Sequence, residues 1–286
     1  MRTFQDRVAV ITGAGSGIGR ALAIQLGQAG AKLALVDVSA EGLAGTAELV
    51  SGCSTHVVDV SDRAAMIALA DAVVAEHGGV NLVINNAGIN VSGGFFDQSL
   101  EDWDRVVGVN LWGVVHGCHV FMPHLIVADE AWIVNVSSVF GIVGVPSQTS
   151  YCATKYAVRG LSEALWEELR GTHIGVSVVH PGGVNTNIVH AVKVYDEDSA
   201  QPSKDFFAKN TLSPAKAAAT ILAGVRAGKP RILVTREAPL IDLLKRLMPV
   251  WGNKLVAEMT IKMLGLTDVR DRKLAEFHAD RDARRS

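Results

Sequence analysis

Cysteine is scarce in this chain. Cys53, Cys118 and Cys152 are its three, odd in number and scattered without metal-type spacing. Such a set indicates neither a disulfide framework nor a zinc site, and a reducing cytoplasm is the expected compartment. Charge of one sign is lacking as well: 27 Lys and Arg stand against 29 Asp and Glu, a formal net charge of -2, so there is no electrostatic footprint for nucleic acid. Long apolar runs are missing too. Even APLIDLLKRLMPVW is broken by Asp242, Lys245 and Arg246, and no run approaches the ~18 residues of a membrane span. The N-terminal MRTFQDRVAVITGAG enters a hydrophobic strand within a few residues, which leaves no room for a signal peptide. A soluble protein is expected. No repeat of fixed period and no Pro/Ser-rich linker divides the chain.

What is present is material for a large core, 286 residues of which 49% are hydrophobic. Short runs rich in Val and Ile recur at RVAVIT, KLALVDV, THVVDV, NLVINNAG, AWIVNVSS, IGVSVVHPGG and RILVTR. Between them lie segments with helical spacing, at 18–30, 62–77, 103–125 and 151–171. Strands alternating with helices mean βαβ units, whose right-handed crossovers cover both faces of a parallel sheet. The expected fold class is therefore α/β, a doubly wound seven-stranded parallel sheet with helices on both faces. Residues 1–236 read as one domain, in which the polar, irregular stretch 187–212 reads as a flexible flap. Residues 237–286 read as a helical C-terminal extension without independent standing: 240–264 has helical apolar spacing, and 268–286 is densely charged with both signs.

The first strand runs into Thr12-Gly13-Ala14-Gly15-Ser16-Gly17-Ile18-Gly19 and then directly into a helix. Glycines there let the backbone turn sharply and approach a pyrophosphate, whose charge meets the free N–H groups of the helix N-terminus. The strict G-x-G-x-x-G pattern is broken by Arg20, but the context is right: a strand precedes, a helix follows, and Asp37 ends the second strand where a carboxylate can bind a ribose.

A second constellation lies further on. Tyr151 and Lys155 are four apart, one helical turn, so on a helix they share a face. Ser137 and Ser138 precede them at the carboxyl end of WIVNVSS; on an extended strand only one of the two can face a substrate. A phenol ionises near 10, and a neighbouring ammonium is expected to lower it into service as an acid/base.

Taken together, T-G-x-x-x-G-x-G, Asn85-Asn86-Ala87-Gly88 and Tyr-x-x-x-Lys resemble the short-chain dehydrogenase/reductase family over roughly residues 6–235. The resemblance implies a Rossmann-type dinucleotide-binding catalytic domain and hydride exchange between a nicotinamide and a secondary alcohol or ketone. It implies Asn110, Ser138, Tyr151 and Lys155 as catalytic residues: Tyr151 the acid/base, Lys155 its electrostatic partner and a ribose ligand, Ser138 a donor to the substrate oxygen, Asn110 the holder of a relay water. Cofactor contacts are implied for Gly13, Ser16, Gly17, Ile18, Gly19, Asp37, Asp59, Val60, Asn86, Ala87, Gly88, Tyr151 and Lys155. Pro181, Gly182, Val184 and Thr186 should meet the nicotinamide. Asp37, with no cation at Ser16, Val38 or Ser39, favours NAD over NADP.

Pocket walls are expected from Val139, Phe140, Gly141, Val145, Pro146, the flap and residues 90–95. These are mostly apolar and favour a hydrophobic or modestly polar substrate. Alternatives are an NADPH-dependent reductase of acyl-carrier ketoesters and a non-catalytic NAD-sensing regulator. His116 and His119 are three apart but lack a third ligand, so no metal is expected. Apolar residues on several faces of 103–125 and 151–171 suit a homodimer or homotetramer. The extension at 240–264 is left with three roles: covering the active site, extending a subunit contact or, least favoured, resting on a membrane surface.

Overall fold

The computed structural model describes residues 1–186, 188, 193–195, 212–263 and 267–283. Most of the expected flap lies outside them. β1 (Val8–Thr12) is buried at all five positions, as a strand covered on both faces must be. It pairs in parallel with β2 (Lys32–Asp37) on one side and β4 (Leu82–Asn85) on the other. β3 (Cys53–Val57), β6 (Ala131–Val136), β7 (Ile174–His180) and β9 (Arg231–Leu233) complete a seven-stranded parallel sheet of order β3-β2-β1-β4-β6-β7-β9. The chain winds outward from β1 to β3, then crosses back and winds the other way from β4. The crevice between β1 and β4 is thus the topological switch point, where open α/β sheets bind ligands.

Helices cover both faces. α1 (Gly17–Gln28) places Leu22 and Leu26, both fully buried, against Ile11, Leu33 and Leu35, and α7 (Pro214–Arg226) joins it on that face. Each such leucine contributes roughly 1.5–3 kcal/mol of burial. α3 (Arg63–His77), α5 (Gly113–Ile126) and α6 (Thr149–Glu168) cover the other face. Side-chain caps start several helices: Ser39 for α2 (Ala40–Ala47), Asp62 for α3, and Ser99 for α4 (Leu100–Val107).

Three features depart from the sequence reading. β3 begins two residues before THVVDV, so Asp59 and Val60 lie beyond the strand rather than in it. α4 and α5 are joined by a π-helical turn, Gly108–Trp112, into one continuous helix, Leu100–Ile126. Its 27 residues, with a mean hydropathy of 1.3 in the most apolar stretch, reach a spanning length that the sequence reading did not expect. That apolarity serves the interior instead: Val114, Cys118, Phe121 and Leu125 are buried against the sheet. Finally, a two-stranded pair unites β5 (Val91–Ser92) with β8 (Lys193–Val194).

After β9 the chain forms a helical hairpin, α8 (Ala238–Leu247) and α9 (Trp251–Met263), and then the charged α10 (Thr267–Ala283). The hairpin is mounted on the loop that follows β6: Val256 and Ile241 pack with Ile142, Val143, Val145 and Cys152.

Candidate active site

At the switch point the ends of β1 and β4 are laced together. The Thr12 hydroxyl accepts the amides of Asn86 and Ala87 at 2.9 and 3.0 Å, and Asn86 Nδ2 donates to the Thr12 carbonyl at 2.9 Å. Gly13 and Gly17 have φ of +66° and +52°, conformations that favour glycine. A Cβ on Gly13 would fall 2.9 Å from the Ala87 Cα, and one on Gly19 only 2.0 Å from the Gly13 carbonyl oxygen. Ser16 precedes α1 in extended backbone and makes no side-chain cap, so the N–H groups of the first turn, around Gly17 and Ile18, keep their capacity for an anion.

Asp37 ends β2 with both carboxylate oxygens oriented: Oδ2 accepts from the Gly15 amide at 2.8 Å and Oδ1 from the Ser39 amide at 3.0 Å. Arg20, which breaks the G-x-G-x-x-G pattern, crosses to α2. It donates to Thr46 Oγ1 at 2.9 Å and to the carbonyls of Gly15 and Gly42. Asp59 is exposed and caps Ser61, accepting from its amide at 2.9 Å and its hydroxyl at 2.7 Å. Val60 is buried, and its carbonyl faces His116 Nδ1 at 2.9 Å. His116 is thus a core histidine, and no cluster of three metal-ligating side chains occurs among the described residues.

The second constellation gathers at the carboxyl end of β6. Ser137 turns inward and donates to the Lys155 carbonyl at 2.7 Å, whereas Ser138 hydrogen-bonds Tyr151. This decides which of the two serines faces the phenol. Ser138 Oγ also accepts from the Phe140 amide at 3.1 Å. Lys155, one turn from Tyr151 on α6, is buried with Nζ on the Val136 carbonyl at 2.9 Å and 5.6 Å from the Tyr151 ring centre. Asn110 lies fully buried in the π turn, its side chain locked to the backbone of Ile89 by bonds of 2.8 and 2.9 Å. A Cβ on Gly88 would lie 3.3 Å from Asn110 Oδ1 and 3.5 Å from Lys155 Nζ, so these three converge.

Burial sets the electrostatics. Desolvation pushes the Tyr151 phenol up to about 12, with the Ser138 hydrogen bond pulling against it, and pulls the Lys155 ammonium down to about 8. The phenol lowered by its lysine is therefore corrected for the chain on its own: two desolvated groups each favour their neutral form.

Pro181-Gly182-Gly183-Val184-Asn185-Thr186 bridges the two halves. The Pro181 carbonyl accepts the Val139 amide at 2.8 Å, and Val184 is buried. Gly182 is pressed so close to Thr235 that a Cβ would fall 2.3 Å from its hydroxyl oxygen. Thr186 reaches the glycine loop, where a Cβ on Gly17 would meet it at 3.1 Å. A cleft of about 450 Å³ opens beside Gly17 and Thr186 toward Pro214, at the loop's outer side. Of the expected pocket walls, Val139, Gly141 and Val145 are buried, Val145 within the hairpin's hydrophobic cluster, while Phe140 stands edge-on to Tyr151 at 6.2 Å.

Three neighbours escaped the sequence reading. His180 Nδ1 lies 2.9 Å from the Ser138 carbonyl; Thr154 Oγ1 accepts from Asn110 Nδ2 at 3.3 Å; Asn253 on α9 holds Gly144 by both backbone groups, at 2.9 and 3.2 Å. Only Thr154, inside the Tyr-x-x-x-Lys turn, had a local signal.

A doubly wound sheet with a glycine loop at its switch point and a Ser, Tyr and Lys cluster beside it defines a dinucleotide-fold protein. The short chain dehydrogenase profile matches residues 7–196, and the chain belongs to that family. It is 45% identical over 265 residues to the Mycobacterium tuberculosis (strain ATCC 25618 / H37Rv) protein named "Putative oxidoreductase SadH", covering 90% of this chain and 96% of the relative. The 3-oxoacyl-[acyl-carrier-protein] reductase FabG of Thermotoga maritima is 37% identical over 186 residues, covering 64% and 76%. Among solved structures, a short chain dehydrogenase/reductase from Burkholderia phymatum in complex with NAD superposes with a TM-score of 0.81 at 33% identity, covering 86% and 95%.

Proposed function

We propose that the protein transfers hydride between NAD(H) and a secondary alcohol or its ketone, the substrate being apolar or modestly polar. The observation that carries this reading is the convergence of Asn110, Ser138, Tyr151 and Lys155 beside Gly88, next to the glycine loop. The cofactor fits what surrounds it: glycines at positive φ, an uncapped helix start and the oriented Asp37 carboxylate. The nicotinamide supplies or accepts the hydride. Gly13, Ser16, Gly17, Ile18 and Gly19 hold the pyrophosphate, Asp37 the adenosine ribose, Asp59 and Val60 flank the adenine, and Asn86 to Gly88 line the opposite wall. Pro181, Gly182, Val184 and Thr186 meet the nicotinamide end.

In ketone reduction Ser138 donates a hydrogen bond to the carbonyl oxygen and steadies the charge developing there. Tyr151, protonated at neutral pH, delivers the proton to that oxygen. Lys155 opposes the negative charge left on the phenolate. Asn110, fixed by Ile89 and Thr154, holds the relay path beside Lys155. Single π turns inside α-helices occur frequently at functional sites.

Asp37 favours NAD because a 2'-phosphate would lie against its carboxylate, and Arg20, the nearest cation in sequence, is tied to Gly15, Gly42 and Thr46. Even a residual ~1.4 kcal/mol of repulsion is tenfold in kcat/KM. The test is absorbance at the nicotinamide band with a panel of secondary alcohols and ketones and both cofactors. NAD is expected to win by at least about tenfold, and Asp37→Ala to narrow the gap; equal efficiency would refute the role of Asp37. A second reading, reduction of acyl-carrier ketoesters, is favoured by the likeness to FabG; it predicts activity on a carrier-linked ketoester with NADPH in the same panel.

Residues 1–236 form the catalytic unit and 237–286 an extension built onto it. The free thiols, two of them buried, suit a cytoplasmic location, and the α5 and α6 faces suit a homodimer or homotetramer.

A further inference from the structure

The outward end of the C-terminal hairpin is the most apolar stretch of exposed surface along the described chain. Leu247, Met248, Pro249, Val250 and Trp251 follow one another across the turn between α8 and α9 and all are exposed, Leu247 by 71%, Val250 by 77% and Trp251 by 70%. Leu240 and Leu243 continue the patch along α8. Leu255 and Met259 continue it along α9, four and eight residues after Trp251 and therefore on its face. Five consecutive exposed apolar residues mark a surface made to be covered.

Its charges say by what. Between residues 238 and 263 stand Lys245, Arg246, Lys254 and Lys262 against Asp242 and Glu258. Asp242 is buried in ion pairs with Arg231 at 2.6 Å and with Arg246 at 4.0 Å, and of the hairpin's remaining charges only Glu258 is negative, so its exposed charge is positive. Lys254 Nζ stands over the Trp251 ring at 5.5 Å, and Lys254, Glu258 and Lys262, four residues apart, run along α9 beside its apolar stripe. An apolar tip that includes a tryptophan and is rimmed by cations is the composition of an interfacial anchor on anionic lipid. A second copy meeting this tip through a twofold axis would set the same cations against each other.

The tip is held on a rigid base. Asn253 clamps Gly144, Lys245 donates to Asn253 Oδ1 at 3.1 Å and to the Pro249 carbonyl at 3.0 Å, and Val256 packs under the loop between Ser138 and Tyr151. We propose that the hairpin docks the protein on an anionic phospholipid bilayer, with residues 247–251 entering the interface and Arg246, Lys254 and Lys262 meeting the headgroups. The docking stands apart from the dehydrogenase reading. Its consequence rests on that reading: the pocket wall carried by the same base lies near the bilayer, and the alcohol or ketone is one that partitions into lipid.

The experiment is cosedimentation of the full chain with vesicles of phosphatidylcholine alone or with about a third phosphatidylglycerol, at low and high salt, with NADH binding and sedimentation velocity run alongside. The bound fraction should be at least about tenfold higher on the anionic vesicles and fall with salt. It should be lost in Leu247→Ser/Val250→Ser/Trp251→Ser, whose NADH binding and assembly stay as in the parent. Lys254→Glu/Arg246→Glu should remove the preference for anionic lipid. Three results overturn the proposal: no binding by the parent, equal binding by the triple variant, or a triple variant that changes its sedimentation, which makes the tip a subunit contact. Vesicle binding without NADH binding would keep the docking and sink the dehydrogenase reading.

Discussion

Lys155 gives up hydration for one carbonyl at 2.9 Å, which is why its proton is held only to about 8, and the Tyr151 phenol beside it is pushed the other way. Under the proposed function, a charge kept in so poor a site serves the proton transfer assigned to the pair. Tyr151→Phe should leave NADH binding nearly intact while turnover falls by several orders of magnitude; retention of more than about a tenth of kcat, a cost of only ~1.4 kcal/mol, would remove Tyr151 from the proton path. For ketone reduction, kcat/KM should hold level below pH 8 and decline above it as Lys155 loses its proton, and in Lys155→Arg that limb should move beyond the assay range even if the rate is low. His180 yields a stability prediction. Fully buried, it is held neutral by desolvation down to about 4, whereas the unfolded chain takes up that proton near 6.5. Stability from this residue is present above 6.5 and is lost as pH falls from 6.5 to about 4, up to about 3 kcal/mol in all. Urea unfolding at pH 7 and pH 5 should show a smaller loss in His180→Gln than in the parent; equal losses would clear His180 of the effect. Tyr151 and Lys155 were legible from their helical spacing, and Ser138 and Asn110 through the family resemblance. The pKa direction of Tyr151 was not, because desolvation depends on what the fold brings over the ring.

The strands were legible as elements because they are buried on both faces and read as unbroken Val and Ile runs. Their ends were less so: β3 stops at Val57, since the register with β2 places Val57 opposite Asp37, and the apolar letters that follow serve a loop. The π turn around Asn110 left no trace, because one extra residue in a helical turn changes the spacing by less than apolar positions scatter. The hairpin was legible as helix and illegible in its target. Asn253 is 109 residues from Gly144, and no local pattern announces such a pairing. Asn253→Ala removes two hydrogen bonds from the loop between Ser138 and Tyr151, a cost of about 1–3 kcal/mol in stability. KM for the ketone should rise several-fold while the Kd for NADH stays put. A variant whose KM does not move would make the clamp a purely stabilising contact. Ending the chain after Arg236 strips Asp242 from Arg231 and Val256 from Val143, so the shortened protein should lose thermal stability as well as substrate affinity.

At the scale of the whole molecule, two of the exposed apolar surfaces among the described residues have different characters. The hairpin tip is rimmed by cations. The other surface lies on the π turn, α5 and α6, where Trp112, Ile126, Tyr156 and Trp166 are exposed, and on α6 Ala153, Gly160 and Ala164 add small exposed residues. Gly160 has open space where a Cβ would stand, so a helix from another subunit can approach closely there. Glycine in a helix interior costs about 1 kcal/mol relative to alanine, a penalty that close packing against a partner offsets. A twofold contact through α6 would bring Gly160 near its own copy and cover Tyr156 and Trp166 together. The parent should therefore sediment as a homodimer or homotetramer. Gly160→Arg, which places a long charged side chain on that face, should shift the protein toward monomer at micromolar concentration, with vesicle binding by the hairpin unaffected. Gly160→Ala is the control, since a methyl group at a helix interior favours the fold and intrudes little on the contact. If Gly160→Arg assembles like the parent, the contact lies elsewhere; if the parent itself is a monomer, the apolar face of α5 and α6 has no partner of its own kind.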